Sequence, residues 1–174
     1  MTSQIFHYAH GVSAIDSGYV RHQHAAIHLV VEQGRVAIID TGTNDSLPRL
    51  QAALQAMDLS AENIDYVILT HIHLDHAGGA GAMMRAFPKA KLVVHPRGAR
   101  HMADPSKLVA GAAAVYGSSE VRRLYGEVLP IAADRILEAA HETVIRLGNR
   151  ELLCLDTPGH ARHPLLLLPG RYGR

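Results

Sequence analysis

Three imidazoles and one carboxylate fall within six residues in the stretch Thr70-His71-Ile72-His73-Leu74-Asp75-His76-Ala77-Gly78-Gly79. In an extended segment, side chains two positions apart share a side, so His71 and His73 are placed to reach one ion together. A tightening of the chain at Asp75 and His76, eased by Gly78 and Gly79, turns those two side chains toward a second position close by. The spacing therefore suits two metal sites. Imidazole and carboxylate donors fit zinc, one ion or two, with iron or manganese as alternatives. An ion that keeps a coordination position open lowers the pKa of bound water toward neutrality and presents hydroxide as a nucleophile, while a second ion stabilises the developing oxyanion. Asp75 is the expected catalytic residue, ligating the metal and orienting that water. The chemistry favoured is hydrolysis of a small-molecule substrate rather than group transfer.

Composition narrows the alternatives. The chain has 174 residues, of which thirteen are histidine and one is cysteine. A disulfide framework within one chain and a thiolate metal cage are both excluded, so a metal must be held by imidazole and carboxylate. Seventeen basic residues against sixteen acidic ones leave a net charge of +1, too little field to hold a nucleic-acid backbone or an anionic membrane. No basic region followed by an apolar stretch opens the sequence, and its apolar runs are far shorter than the roughly 18 residues of a membrane span. The expectation is a soluble, cytoplasmic protein of one domain, residues 1–174.

The elements that must position these histidines read as α/β. Residues 25–31 and 36–40 are β-prone runs joined by Glu32-Gln33-Gly34-Arg35, a hairpin signal. The second run empties into the polar loop Thr41-Gly42-Thr43-Asn44, after which Leu47, Leu50, Leu54 and Met57 recur at helical spacing with Asn44, Asp45 or Ser46 as a cap. Tyr66-Val67-Ile68-Leu69 reads as a buried strand, residues 82–87 as a helix stopped by Pro88, and Lys91-Leu92-Val93-Val94 as another strand. Strands alternating with helices argue for an α/β architecture. Residues 97–137 change character: they are alanine-rich, with Leu108, Ala112 and Val115 at helical spacing and a second helical stretch over 119–128. A second hairpin is expected around Gly148-Asn149. The closing run from His163 to Arg174 does not alternate as a half-exposed strand does, and two prolines bracket its four leucines.

The pattern His71-x-His73-x-Asp75-His76 resembles the signature of the metallo-β-lactamase superfamily, in its glyoxalase II-like branch. Asp40-Thr41-Gly42 resembles that family's early acidic loop, and Thr157-Pro158-Gly159-His160 the loop that delivers the next histidine. The resemblance implies an αββα sandwich with the metals at one edge. It implies that His71, His73 and His160 bind the first ion, that Asp75 and His76 contribute to the second, and that Asp40 supports the site from behind. On the same basis residues 97–137 are a helical insertion that covers the metal edge. Family members continue past this point with further strands, a bridging aspartate and a last histidine. Here no acidic residue follows Asp156 and no histidine follows His163. The expected fold is therefore the N-terminal half of the sandwich with the second half largely missing, truncated at the C-terminus, and its uncovered sheet edge favours self-association. The implied activity is metal-dependent hydrolysis of an ester, thioester, lactone or related acyl bond. Two other readings stand beside it: an iron-dependent sulfur dioxygenase, and a non-catalytic metal-binding fragment.

Other residues have plainer readings. Asp40 is evenly placed between support of the site and capping of the next helix. His22 and His24 face the site or solvent, His28 sits in an apolar strand, and His95 ends a strand where it can line a pocket. His7, His10, His101, His141 and His163 read as surface. Cys154 is a small buried hydrophobe. Gly78-Gly79-Ala80-Gly81 lacks the lysine a phosphate loop requires.

Overall fold

A computed structural model of the chain describes residues 4–157, residue 159 and residues 165–169. Their strands form two sheets. In the larger, β1 (Ile5–His7), β2 (Val12–Asp16), β3 (Ala26–Glu32) and β4 (Arg35–Ile39) run antiparallel in chain order, and β5 (Ile64–Ile68), β6 (Lys91–Val94) and β7 (Ile136–Glu138) extend the sheet in parallel from β4. The smaller sheet has the order β10-β9-β8, from β8 (Thr143–Leu147), β9 (Arg150–Asp156) and β10 (Leu165–Pro169), all antiparallel.

Both anticipated hairpins are present. Gln33 and Gly34, with φ of 50° and 74°, link the paired residues Glu32 and Arg35. Two successive positive φ values give the mirror-image turn that matches strand twist. Gly148, at φ 56°, serves the turn between Leu147 and Arg150.

Period-two alternation divides the core between two layers. From β4, Val36 and Ile38 face one cluster while Ala37 and Ile39 face another; from β6, Leu92 and Val94 divide from Val93 in the same way. The first cluster is completed by Leu50 and Leu54 of α1 (Leu47–Ala56), by Met83 and Met84 of α3 (Ala80–Ala86) and by Ala99 and Met102 of α4 (Pro96–Ala103). The second is closed by Ile145, Leu147, Leu152 and Cys154 of the small sheet. The described residues thus stack as helices, large sheet and small sheet, three of the four layers of an αββα sandwich.

Between β6 and β7 lie α4, α5 (Ser106–Tyr116) and α6 (Ser118–Tyr125). The α-helices end at Tyr125; after a 3-10 turn at Ala133–Arg135 the chain rejoins the large sheet as β7, which falls at the end of the 97–137 stretch. One sequence expectation is corrected. The leucine run before Pro169 is a strand, with Leu165 to Pro169 paired in register with Asp156 to Leu152; the backbone hydrogen bonds offered by β9 place it there without any need for alternation. The N-terminal segment, to which the sequence pattern assigns no element, contributes β1 and β2. No helix among the described residues is long and apolar enough to cross a membrane.

Candidate metal centre

The parallel strands β4, β5 and β6 end on one edge of the large sheet. Asp40 follows β4, the loop holding Thr70, His71 and His73 follows β5, and His95 follows β6. The carboxyl ends of parallel strands are where such sheets bind ligands, because the diverging loops leave a crevice there.

Asp40 has a left-handed backbone, φ 59°, and its N–H donates to Ile68 O at 2.8 Å. That conformation directs its carboxylate across the sheet edge. Oδ1 accepts from Thr70 N at 2.8 Å, Thr70 Oγ1 lies within 2.9 Å of both oxygens, and Oδ2 is 2.8 Å from His76 Nδ1. Thr41 secures the same residue from its other side: its N–H and hydroxyl donate to His76 O at 2.7 and 2.8 Å. Asp40 is therefore committed to the site. The start of the next helix is fixed instead by Ser46 Oγ, which accepts from Thr43 N at 3.1 Å and donates to Ser17 O at 2.8 Å.

Gly79 explains why the two loops can approach so closely. A Cβ there would lie 2.6 Å from Thr43 O and 3.0 Å from Thr41 O, and one at Gly78 would lie 2.4 Å from Leu74 O. His73 stands at the N-cap of α2 (Leu74–Ala77), a single turn that brings His76 back toward His71 rather than away from it toward the second position that the sequence spacing predicts.

His71 is buried, 8% exposed, and Thr70 Oγ1 lies 3.0 Å from its Nδ1. Its ring centroid is 4.2 Å from that of His76 and 4.7 Å from that of His73, the latter edge-on. Asp40, His71 and His76 each offer one ligand atom, and the three atoms lie within 4.8 Å of one another. Half-buried Asp75 places Oδ2 3.5 Å from His76 Nε2. The bond to Asp40 raises the His76 pKa above its ordinary value; burial opposes this, and the charges of Asp40 and Asp75 add to the rise.

Of the residues expected from sequence, His71 and His76 are drawn together with Asp40, His73 stands exposed beside His71, and Asp75 faces the far nitrogen of His76. His160 lies outside the described residues. The imidazole nitrogens of His71 and His76 are donors that suit a borderline divalent ion such as zinc, with the Asp40 carboxylate held against His76 Nδ1. His76 turns Nδ1 to Asp40 and leaves Nε2 toward Asp75, an arrangement in which a carboxylate would orient a ligating histidine from behind.

A cavity of about 760 Å³ opens beside His71 and His73, lined also by His95 and by Arg97, Arg100 and His101 of α4. A second, of about 440 Å³, adjoins Asp75 and is bordered by α5 and by Tyr125 of α6. Tyr19 donates to Tyr125 Oη at 3.0 Å with the rings stacked, which ties the β2–β3 loop to α6. Sequence reasoning gave no role to Tyr19, Tyr125, Arg97 or Arg100. Helical spacing of Arg97, Arg100 and His101 was the one signal that could have singled out the α4 residues.

Comparison with known proteins bears on this geometry. The profile of the metallo-beta-lactamase superfamily matches residues 22–168. A metallo-beta-lactamase fold-containing protein of Sulfurisphaera tokodaii is 26% identical over 163 residues, 91% of this chain and 58% of the relative. A hydroxyacylglutathione hydrolase of Aeromonas salmonicida is 38% identical over 66 residues, 38% of this chain and 24% of that protein. Among solved structures, the metallo-beta-lactamase SMB-1 bound to 2-mercaptoethanesulfonate superposes with a TM-score of 0.71 at 21% identity, covering 94% of this chain and 58% of that one. The class B3 di-zinc metallo-beta-lactamase LRA-12 from an Alaskan soil metagenome gives 0.70 at 24% identity, covering 95% and 56%. At such identity the likeness is one of fold, and the chain spans a little over half the length of these proteins. The profile, by contrast, takes in most of both sheets, the loop from Thr70 to Gly79 and the cavities beside it: the chain belongs to the metallo-beta-lactamase superfamily.

Proposed function

We propose that this chain carries the metal-binding edge of a hydrolase that cleaves an ester, thioester, lactone or related acyl bond of a small molecule. The observation that carries the reading is the convergence of Asp40, His71 and His76, with ligand atoms within 4.8 Å, beside a cavity of substrate size. We assign His71, His73 and His160 to one ion and Asp75 and His76 to a second, with zinc as the ion and Asp75 as the catalytic residue. When bound, the metal supplies Lewis-acid activation of water and of the scissile carbonyl.

The protein's own groups have separate tasks. Asp40 holds His76 by Nδ1 and is itself fixed by Thr70, so the imidazole is oriented before any ligand arrives. Asp75, partly open to solvent, is the carboxylate available to accept a proton from water as it adds to the carbonyl. Leu69, Ile72, Val94 and Leu108 line the cavity beside His71 and His73 and shield the acyl group from bulk water. We place residues 97–137 in the proposal as the insertion that borders this edge. Support comes from Leu74, which packs with Val121 and Tyr125 directly behind Asp75.

The deciding experiment is metal analysis of the purified full chain after reconstitution with zinc, followed by assay on a panel of acyl esters and thioesters with and without chelator. Bound zinc with chelator-sensitive hydrolysis is the expected result. Absence of zinc after reconstitution would overturn the metal assignment. Bound iron with oxygen consumption on a persulfide would replace the hydrolase with a sulfur dioxygenase, and bound metal without turnover would leave a metal-binding fragment.

A further inference from the structure

The walls of the larger cavity differ sharply in chemistry. Its apolar side comes from Leu69, Ile72, Val94 and Leu108, next to His71 and His73, whereas α4 contributes Arg97, Arg100 and His101. Positions i, i+3 and i+4 share a helix face, so these three side chains form one stripe. The opposite stripe, Gly98, Ala99 and Met102, is buried. Gly98 fixes this orientation: a Cβ there would lie 2.9 Å from Cγ2 of both Ile72 and Val94, so the helix rests against β6 and the loop carrying His71 and His73. His95 sets the start of the helix, its Nδ1 accepting from Arg97 N at 3.2 Å.

The cationic wall is not a by-product of a basic chain, whose net charge is only +1. Lys107 extends it into the adjoining cavity, and the single carboxylate among the described residues lining the two spaces is Asp75. Asp104, which follows the last residue of α4, accepts from Ser106 N at 3.1 Å at the start of α5. Both arginines are exposed at the cavity mouth, where a ligand meets them before full desolvation. A planar guanidinium is suited to paired hydrogen bonds with an oxyanion, and two on one face make a fork for it.

We propose that this cavity selects acyl substrates bearing a second, remote oxyanion, such as a carboxylate, held by Arg97 and Arg100 while the acyl group lies along the apolar wall toward the histidines. The inference rests on the hydrolase reading above for the placement of the scissile bond, and its own content is the charge of the substrate's far end.

Glutarate and pentanoate, acids of equal chain length that end in a carboxylate and a methyl group, are the probes. They are titrated calorimetrically into the zinc-reconstituted full chain and into its Arg97→Gln, Arg100→Gln double variant. Hydrogen bonds to charged groups set the expected scale, a preference for glutarate of about tenfold or more that disappears in the double variant while pentanoate affinity holds. Equal affinity for the two acids in the unsubstituted protein, or a preference that survives the double substitution, would overturn the proposal. Both positions are exposed, so the substitutions do not disturb the core. Turnover is not needed for this readout. Zinc bound without a glutarate preference would sink this inference and leave the hydrolase reading standing; a preference that persists in a chain unable to bind zinc would do the reverse.

Discussion

Asp40 and His76, thirty-six positions apart, are joined by a 2.8 Å bond between Oδ2 and Nδ1. Two loops from different strands meet in that bond, and a left-handed backbone at Asp40 makes it reachable. A metal bound to His76 would act through the imidazole on Asp40, whose other partner is Thr70. Asp40→Asn keeps the acceptor for Thr70 N and removes the charge. Loss of a carboxylate behind a ligating histidine typically costs 10- to 100-fold in metal affinity, so the variant is expected to bind zinc weaker by about that factor. Competition against a chromophoric chelator measures it; unchanged affinity would show that Asp40 does not serve the metal.

The same pair sets an acid–base signature in the metal-free protein. Its bond to Asp40 raises the folded-state pKa of His76 above the ordinary 6.5. A raised pKa means the folded state holds the proton more tightly than the unfolded state. The resulting stability is fully present below about pH 6.5 and is lost as pH rises through the folded value. Metal-free protein should therefore show a Tm that declines over that window, with the decline absent in Asp40→Asn. Zinc-loaded protein should show the opposite slope, because coordination needs the neutral ring and competes with the proton. A pH-independent Tm difference between the two proteins would contradict the linkage.

Much of this was legible in the chain because the relevant signals are local. His71, His73, Asp75 and His76 lie within six residues, and the runs forming β4, β5 and β6 are apolar enough to read as strands buried on both faces. Helix α1 appeared through its spacing. What escaped depends on contacts between distant segments. Asp40 could as well have capped a helix, and only its φ of 59° and the approach of His76 decide against that. Strands β1 and β2 carry polar residues such as the exposed His7 and the buried Ser13, and they are strands because β3 offers an edge to pair with. The leucines of β10 carry no alternation to read, and they form a strand because β9 offers an edge to pair with. Arg97 and Arg100 gain meaning from the cavity that Gly98 allows α4 to border.

Gly79 should be nearly irreplaceable. A methyl group there meets two backbone carbonyls, at 2.6 and 3.0 Å, which belong to the loop carrying Asp40's neighbours. Backbone cannot withdraw as a flexible side chain does, so Gly79→Ala is expected to destabilise by about 1–3 kcal/mol through overpacking and to weaken zinc binding as well. Gly111→Ala on α5 is the control, since nothing lies within 4 Å of its Cβ. Helix propensity favours alanine there by about 0.8–1.0 kcal/mol. Urea unfolding of both variants provides the comparison, and equal effects would contradict the steric account.

Arg150 is the ionic group whose loss should matter most for the joint between the sheets. Only 2% exposed, it begins β9, donates from Nε to Glu32 Oε2 at 3.1 Å and from Nη2 to His10 O at 2.5 Å. One guanidinium thus ties the small sheet to the end of β3 and to the β1–β2 turn. Arg150→Met keeps much of the volume but leaves Glu32, with its side chain 14% exposed, as an uncompensated carboxylate. Breaking a buried pair from one side typically costs about 3–5 kcal/mol. The solvent-exposed Arg123–Glu120 pair on α6 is a contrasting case: water screens it, and Arg123→Met should leave the unfolding midpoint unchanged. Adding Glu32→Gln to Arg150→Met should recover part of the loss, because it removes the stranded charge. A double variant no more stable than the single one would mean that the bond to His10 O, rather than the ion pair, carries the joint.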